Sequence, residues 1–385
     1  MMSSRAARII AAAGAFALLL AAAVGYVVYA ANRGADASTA AADGSAGGGT
    51  PPGNVAGVVA AGPYYAFKSS ALDRDFGRVA VASTSDPGRR VFVAGLRCNR
   101  LAVAGGHGLC LQLSLGVTVG MDASVLDANL TVTHRLRLPG YPSRAKIAPD
   151  GRLGAVTAFV SGDSYASMGF STRTSIIDLA TGQVLFDLEK LSVTKNGQAF
   201  HAADFNFWGV TFQPDSRHFF ATLGSGGQTY LVHGDVASRT ATVVTTGVEC
   251  PSLSPDGRLI AFKKRVADDP VSWRLWILDV ASGREHPTSE ARPIDDQAAW
   301  LDDRTVMYGL AATAGASAAT GGPQNPSVIE AGTSIDTSMW AVPADGTGTP
   351  RLVLDHAWSA QLASAAADAN ASSGAGAGAG AGKTP

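Results

Sequence analysis

A set of polar residues recurs at a fixed position, four or five residues ahead of a repeated turn phrase. Its acidic members are Glu249 and the pair Asp295-Asp296, while Arg144 and Trp208 hold the same position in other repeats. Two carboxylates about 5–10 Å apart can perform acid–base chemistry on glycosidic bonds. Converging carboxylates can also hold a hard cation such as Ca²⁺, because calcium prefers oxygen ligands. These residues are the first candidates for a functional site.

Other catalytic sites have sequence signatures that are missing from this chain. It has no Gly-x-Ser-x-Gly motif of a serine hydrolase, and its seven histidines show no His-Glu-x-x-His spacing. No phosphate-binding glycine loop precedes a helix. The charge is balanced, with 30 basic and 31 acidic residues and no basic stripe, so nucleic acid is not an expected partner.

The turn phrase itself predicts the fold. It reads Ala-Pro-Asp-Gly-Arg at 148–152, Gln-Pro-Asp-Ser-Arg at 213–217 and Ser-Pro-Asp-Gly-Arg at 254–258, with a weaker copy at 300–304. Proline presets φ, and Asp and Gly tolerate a tight reversal, so each copy predicts two strands joined by a turn. Repetition at intervals of about forty to sixty residues is typical of propeller blades. The aspartates of the phrase are therefore interpreted as turn residues.

A second repeated phrase, seen at 178–182 and 279–283, marks the outer hairpin of a blade. Each repeat unit contains an inner turn and an outer turn before the next inner turn begins. These turns divide the unit into four strands. The chain is therefore predicted to be all-β, a six-bladed β-propeller of four-stranded antiparallel blades. Blades 3 to 6 are predicted at 141–190, 204–247, 248–291 and 293–355.

The first blade lacks its innermost strand at the N-terminal side. The segments Tyr64–Lys68, Val79–Ser83 and Val91–Gly95 fit its second, third and fourth strands. The apolar segment His356–Leu362 follows the last blade and could supply the missing strand. Strands from both ends of the propeller would then close the ring and remove exposed edges.

Residues just ahead of each innermost strand are expected to line one mouth of the central channel. The candidate ligand-binding residues at this mouth are Arg144, Asp204, Asn206, Trp208, Glu249, Asp295, Asp296 and Gln297. A structural interpretation stands beside the binding one. Arg144 could pair with Glu249 or Asp296 and tie adjacent blades together, and Trp208 could be a core aromatic residue.

The three cysteines provide a check on the strand register. Cys98 and Cys110 lie nearly symmetrically about Ala104-Gly105, which places them opposite each other across an antiparallel pair. We therefore expect a disulfide between them, with two free buried thiols as the alternative. Cys250 is left over and is expected to be a small core residue.

The N-terminal segment predicts an attachment to the membrane. Arg5 and Arg8 precede an uncharged, mostly apolar run, Ile9–Ala31, whose 23 residues can span the roughly 30 Å core of a bilayer. Residues 1–31 are predicted to be a cytoplasmic stub and anchor, with the rest of the chain extracytoplasmic. Secretion after cleavage of a signal peptide is the alternative, although such peptides usually have an apolar region of only ~7–15 residues.

Small and polar residues predict three segments without fixed structure. Residues 32–56 are interpreted as a flexible tether, 311–334 as a disordered insertion in blade 6, and 363–385 as a disordered Ala/Gly-rich tail. The propeller is then expected to occupy 57–362.

The run Ser254–Phe262 resembles the WD40-like PD40 repeat of TolB-type propellers. The fuller phrases Pro142–Arg144, Asn206–Phe212, Glu249–Gly257 and Asp295–Gln297 resemble membrane-anchored TolB-like proteins of actinobacteria. This resemblance implies a six-bladed, non-enzymatic, protein-binding propeller of the cell envelope. TolB has a separate α/β domain ahead of its propeller, whereas a tether is predicted at that place here.

The combined expectation is an extracytoplasmic propeller on a single-pass membrane anchor, which binds an envelope protein or a cell-wall component. The sequence predicts no cofactor. A bound Ca²⁺ ion is the alternative prediction. Two other functions are compatible with the sequence. One is a hydrolase of envelope glycans that uses Glu249, Asp295 and Asp296, and the other is a passive scaffold of an envelope complex.

Overall fold

Six β-sheets make up the fold of this chain. The structure is a computed structural model that describes residues 54–115, 119–160, 171–268, 271–311 and 336–364. Each innermost strand contacts the innermost strand of the next sheet, and the last one in the chain contacts the innermost strands of two different sheets. The six sheets therefore close into a ring around a channel, which confirms the prediction of a six-bladed propeller.

The strands follow the chain from one blade to the next. The first two blades contain β1 (Tyr64–Ser69), β2 (Arg78–Ser83), β3 (Asp86–Arg97), β4 (Arg100–Ala104), β5 (His107–Leu115), β6 (Val119–Leu126) and β7 (Val132–Pro139). Blade 3 contains β8 (Tyr141–Ile147), β9 (Leu153–Val160), β10 (Ser171–Asp178) and β11 (Gln183–Asp187), followed by a 3-10 helix at Leu188–Lys190. The chain then forms β12 (Ser192–Lys195), β13 (Gln198–Phe200), β14 (Asn206–Phe212), β15 (His218–Ser225), β16 (Gln228–Asp235) and β17 (Thr240–Thr246) in blade 4. Blade 5 contains β18 (Glu249–Leu253), β19 (Leu259–Asp268), β20 (Val271–Asp279) and β21 (Glu285–Pro287). The last strands are β22 (Ala299–Trp300), β23 (Thr305–Ala311), β24 (Thr337–Pro343), β25 (Arg351–Leu354) and β26 (Ala357–Ala363).

The repeated aspartates stabilise the inner turns, as predicted. In blade 5 the Asp256 carboxylate accepts the backbone N–H of Arg258 at 3.1 Å and the hydroxyl of Ser254 at 2.6 Å. The same Ser254 hydroxyl oxygen accepts the N–H of Leu259 at 2.9 Å. Gly257 has a φ of +76°, a conformation that costs glycine little. The phrase therefore satisfies the turn's own polar groups and returns the chain into the next strand.

Strand β26 closes the ring. It pairs antiparallel with β1, with Tyr65 opposite Leu362 and Lys68 opposite Trp358, so blade 1 uses strands from both ends of the propeller. This confirms the expected closure by the segment after blade 6. The Ser359 hydroxyl links the closing strand to blade 2, because it donates to the carbonyl of Leu101 and accepts the N–H of the same residue.

Blade 4 is larger than the turn phrases predict. Strands β12 and β13 form a hairpin that extends its sheet to six strands, with β12 parallel to β17. The phrases assign 191–203 to no blade. Val193 is buried in the same hydrophobic cluster as Tyr230, and the ring of Phe200 packs edge-on against Tyr230 with 5.6 Å between centroids. Burial of these apolar side chains explains why the hairpin adds to the outer edge.

A short helix, α1 (Val55–Ala60), precedes the first blade. Asn54 caps it by accepting the backbone N–H of Ala56 at 3.1 Å, and Val59 is buried in the cluster between blades 1 and 2. In the part of the chain that the structure describes, no helix is long and apolar enough to cross a membrane. The predicted anchor Ile9–Ala31 lies outside the described residues, as do most of the predicted insertion and nearly all of the tail.

The cysteines behave as predicted. Cys98 and Cys110 form a disulfide with 5.4 Å between their Cα atoms, and Cys250 is free and buried. The register differs in one detail, because Cys110 faces Leu101 and Cys98 lies just before β4 begins. The bond therefore joins the entry of blade 2 to its second strand.

Removal of the closing strand tests the role of β26. We expect a chain that ends at Asp355 to lose cooperative unfolding and to aggregate, because β1 would lose its paired strand and the innermost strands β4 and β22 would lose the strand that they contact. A chain that ends at Ser364 keeps β26 and should unfold like the full chain. Urea denaturation followed by tryptophan fluorescence distinguishes the two. Equal unfolding midpoints for both truncations would contradict this account of closure.

The buried carboxyl of Glu189 predicts a pH dependence of stability. It lies between blades 3 and 4, where it accepts the N–H groups of Thr174 at 3.1 Å and Phe207 at 3.3 Å. Burial raises the pKa of Glu189 to about 8, against about 4.3 in an unfolded chain. Between these values the folded protein holds a proton that the unfolded chain releases. The stabilisation from this group is therefore complete at low pH and is lost as the pH rises toward 8.

Substitution Glu189→Gln removes this titration. We expect the free energy of unfolding of the variant to fall less than that of the wild type between pH 5 and pH 8. Urea denaturation at several pH values measures the difference. The exposed, uncharged Gln183 provides the control, because Gln183→Asn neither adds nor removes a titrating group and should leave the wild-type slope unchanged. A constant difference between wild type and Glu189→Gln at every pH would refute the assignment.

Candidate functional site

The predicted mouth residues do not form one site. Arg144, Asp296 and Gln297 line a small cavity of about 30 Å³ inside the channel. A second group lines a separate, larger cavity between blades 4 and 5; its predicted members are Asp204, Asn206, Trp208 and Glu249. Asp295 lines neither of these cavities. The two groups differ in burial and in their partners.

The first group contains a buried ion cluster, here called the channel cluster and formed by Arg100, Arg144 and Asp296. Arg100 Nη1 lies 2.9 Å from both carboxylate oxygens of Asp296, and Arg144 Nε lies 3.5 Å from one of them. All three residues are less than 8% exposed. The cluster joins blades 2 and 3 to the segment ahead of β22, which belongs to blade 6.

Arg144 pairs with Asp296, one of the two partners expected in the structural interpretation, but the pair does not join adjacent blades. The two residues belong to blades 3 and 6, which are not neighbours, so the pair spans the channel. Closure of the ring brings these innermost strands face to face, and sequence distance gives no sign of that. Arg100 was missed because blade 2 lacks the Pro-Asp-Gly phrase.

The cluster holds Asp296 in its ionised form. Burial alone would raise the pKa of this carboxyl, but the guanidinium groups of Arg100 and Arg144 and the N–H of Gln297 together lower it below its usual range. A carboxylate held in this way is a poor proton donor at neutral pH. Its arrangement fits a structural ion pair better than an acid catalyst.

Asp295 and Glu249 also have partners. The ammonium of Lys263 lies 2.5 Å from Asp295 and 4.2 Å from the centre of the Trp273 ring. The Trp273 indole donates to Glu249 at 3.0 Å. Burial would lower the pKa of Lys263, but the neighbouring Cys250, Asp295 and Glu249 raise it. Lys263 is thus a charged partner for the acidic groups around it.

Gln297 connects two blades. Its side-chain amide donates to the backbone carbonyls of Val210 at 3.0 Å and Pro251 at 2.7 Å, which lie on the innermost strands β14 and β18. Both donors of the amide are used in these bonds. The residue therefore fixes the spacing between blades 4 and 5.

The second group lies in the blade 4–5 groove, a cavity of about 450 Å³ at the strand ends opposite the inner turns of these blades. Its lining residues are Asp204, Asn206, Trp208, Gly224, Ser225, Gly226, Gly227, Gln228, Thr229, Gly247, Glu249, Lys264, Arg265 and Asp268. These residues come from the starts of strands β14 and β18 and from two hairpins, β15–β16 and β19–β20. The groove thus combines an indole, two cations, acidic groups and glycine-rich backbone.

Two of the predicted residues shape the wall of this groove. Asp204 accepts the Ser225 hydroxyl and the Gly226 N–H, each at 2.7 Å, and these bonds lower its pKa. Asn206 accepts the N–H of Thr172 at 2.7 Å and donates to the carbonyl of Asp204. They hold the Ser225–Gln228 hairpin in place.

Trp208 and the β19–β20 hairpin supply the groups that a ligand would meet. The Trp208 ring is partly exposed and lies over Gly224, where an added Cβ would come within 2.8 Å of the ring. Arg265 is 39% exposed and lies 3.5 Å from the carboxylate of Asp268, which is 87% exposed. An exposed pair of this kind is weak and can exchange its partner for a ligand. Neither residue of the hairpin was predicted, because hairpin tips carry no fixed motif.

The described residues contain no group of side chains that could bind a metal ion. Within residues 54–115, 119–160, 171–268, 271–311 and 336–364, no three His, Cys, Asp or Glu side chains come together in a way that could hold an ion.

The channel cluster predicts a large cost for breaking it. Asp296→Asn removes a buried carboxylate that contacts two buried guanidinium groups, so we expect the free energy of unfolding to fall by about 3–5 kcal/mol. The exposed pair Arg137–Asp122, with a 3.0 Å separation, provides the control. Arg137→Met should change stability by less than about 1 kcal/mol. Urea denaturation of both variants checks this, and equal small effects would show that the cluster does not hold the blades together.

Comparison of the sequence with protein families and with curated proteins gives no match. Comparison of the structure with solved structures does. TolB from Acinetobacter baumannii is 15% identical, with a TM-score of 0.52 over 79% of this chain and 67% of that one. A protein described as TolB from Agrobacterium tumefaciens is 13% identical, with a TM-score of 0.45 over 76% and 88%. An oligogalacturonate lyase solved with manganese is 10% identical, with a TM-score of 0.44 over 63% and 72%. At these identities the similarity concerns the fold alone, and that fold is a six-bladed, TolB-like β-propeller.

Proposed function

We propose that this chain is a non-enzymatic propeller that binds a protein or cell-wall ligand in the cell envelope. The observation that carries the proposal is the blade 4–5 groove, which gathers four of the eight predicted binding residues around an open cavity of about 450 Å³. A volume of this order is typical of ligand sites. The remaining predicted residues have structural partners elsewhere.

The chemistry of the groove suits a polar, extended ligand such as a peptide or a glycan. Trp208 offers an aromatic face, which packs against apolar side chains or sugar rings. Arg265 and Asp268 offer charges of both signs at the rim, and the Gly226-Gly227 backbone leaves room for close approach. A partner would therefore find both hydrogen-bonding and apolar contacts within one site.

The hydrolase alternative has less support from the same geometry. Acid catalysis needs a carboxyl that stays protonated near neutral pH, beside a second carboxylate. Asp296 is held ionised between two guanidinium groups, and Asp295 is paired with Lys263. A passive scaffold remains compatible with these contacts, but it leaves the groove without a role.

The proposed location is the outer side of the cell membrane, with Ile9–Ala31 as a single-pass anchor. The Cys98–Cys110 disulfide supports an extracytoplasmic place, because the cytosol keeps most thiols reduced. The charge pattern around the apolar run supports the orientation with the N-terminus inside. If the N-terminal segment were instead cleaved as a signal peptide, the secreted propeller would also lie outside the cytoplasm.

Site-specific photo-crosslinking in living cells tests the proposal. A photoreactive residue at Gln228, an exposed position on the groove, should give a defined crosslinked species with one envelope component. The same residue at Leu185, exposed on the outer strand of blade 3, should not give that species. Mass spectrometry of the crosslinked band identifies the component.

Trp208→Ala is the matched loss-of-binding variant, with Trp340→Ala in blade 6 as its control. We expect the Gln228 crosslink to weaken by about tenfold or more in Trp208→Ala, as removal of an aromatic anchor typically does. It should persist in Trp340→Ala. The same crosslinked species from Gln228 and Leu185, or no effect of Trp208→Ala in a folded protein, would contradict binding at the groove.

A further inference from the structure

The other end of the channel carries a second cavity that the proposed function does not use. This cavity has a volume of about 540 Å³ and is here called the turn-side vestibule. The innermost strands and turns of all six blades supply its wall, together with Val59 of α1. Its lining residues include Val103, Ala104, Gly105, Ile147, Pro149, Phe212, Pro214, Leu253, Pro255, Trp300 and Leu362. The wall is therefore mainly apolar and is made by the repeat itself.

One charged side chain reaches this apolar wall. Among the described lining residues of the vestibule, Lys146 is the single charged group. It lies near the end of β8 and also lines the small cavity beside the channel cluster. Ala299 and Gln361 line both cavities as well, so these three residues mark the junction between them. Lys146 thus stands at the inner end of the vestibule.

The ammonium of Lys146 has no counter-ion among the described residues. The described part of the chain provides it with no ion pair, although other channel cations have one, such as Arg100 with Asp296. Enclosure by the channel walls lowers the pKa of Lys146 to about 8, and burial is the cause of that shift. Part of its surface still faces the cavities. A cation that has lost much of its hydration gains from a bound anion.

The nearest acidic group of the channel is already bonded to other cations. Among the described residues that line the inner cavity, Asp296 is the one acidic residue, and its carboxylate contacts Arg100 and Arg144 but forms no ion pair with Lys146. Walls of low dielectric strengthen the attraction of the Lys146 ammonium for an anion.

We propose that the turn-side vestibule binds a small organic carboxylate, whose apolar body contacts the vestibule wall and whose carboxylate pairs with Lys146. An inorganic anion would leave the apolar wall uncovered, and an uncharged apolar molecule would leave Lys146 without a partner. The site lies at the strand ends opposite the blade 4–5 groove and is independent of the function proposed for that groove.

The test uses hexanoate as the probe and the full chain as the protein. Reductive methylation with ¹³C keeps the charge of lysines and gives each a separate NMR signal. The Lys146 signal is assigned by its loss in Lys146→Met. We expect this signal to shift saturably at hexanoate concentrations that leave the exposed Lys190 unmoved. Hexanamide, which has the same body without the charge, should bind at least about tenfold more weakly.

Filling the vestibule gives a second variant that keeps the lysine. Ala104→Trp should weaken the hexanoate response of Lys146 by about tenfold or more, because the new ring occupies the apolar cavity. Leu185→Trp, on the outer surface of blade 3, should leave the response unchanged. The Ala104→Trp experiment does not require Lys146→Met to fold. The ¹³C signals of the other lysines can be assigned one by one, and the remaining signal is then that of Lys146.

Several results would overturn the proposal. Equal affinities for hexanoate and hexanamide would remove the role of the charge, and an equal response to chloride or sulfate would remove that of the apolar wall. An unchanged response in folded Ala104→Trp would place the probe elsewhere. Failure of Lys146 to react in the native protein would show that the vestibule does not admit solutes.

Discussion

Closure of the ring by β26 is the constraint on which the rest of this structure depends. Each blade is a twisted sheet that must bury both faces against its neighbours, and blade 1 has no innermost strand without Ala357–Ala363. Pairing of β26 with β1 supplies that strand and removes two unpaired edges. It also brings Ser359 to blade 2, so the first and last parts of the propeller share a hydrogen-bonded seam. Every site described above lies on or beside the innermost strands that this closure fixes.

The channel is held together by charge as well as by backbone pairing. The channel cluster joins blades 2, 3 and 6 through one carboxylate and two guanidinium groups, all buried. Gln297, next to Asp296, joins blades 4 and 5 through two carbonyls. The consecutive residues Asp296 and Gln297 thus connect five of the six blades. Of the acidic pair Asp295-Asp296, Asp296 therefore has a structural role.

The two faces of the propeller differ in chemistry. The blade 4–5 groove combines an aromatic ring with polar and charged side chains from strand starts and hairpin tips, whereas the wall of the turn-side vestibule is mainly apolar and comes from the innermost strands and the repeated inner turns. Hairpin tips can vary without disturbing the blades, which makes them suitable for recognition of a particular partner. The inner turns repeat with the fold, so the feature that distinguishes the vestibule is Lys146 at its inner end.

The sequence by itself determined the local and periodic features of this protein. The Pro-Asp-Gly phrases predicted the inner turns, their spacing predicted six blades, and the match of Tyr64–Lys68 to a second strand predicted closure from the C-terminal side. Cys98 and Cys110 could be paired because they are close to each other along one hairpin. The added hairpin at 192–200 was not predicted, because it follows no repeated phrase and depends on burial against Tyr230.

The tertiary structure alone decided which of the candidate residues meet. Arg144 and Asp296 are separated by half of the ring in sequence, and their contact depends on strands that face each other across the channel. Trp208 and Glu249 are separated from Asp296, although all three lie four or five residues ahead of the turn phrase in their repeats. Repeat position fixes the height of a residue along the channel, but the direction and partners of its side chain depend on the neighbouring blades. For that reason the sequence predicted the residues of the site, and the fold decided which of them form the groove and which hold the ring together.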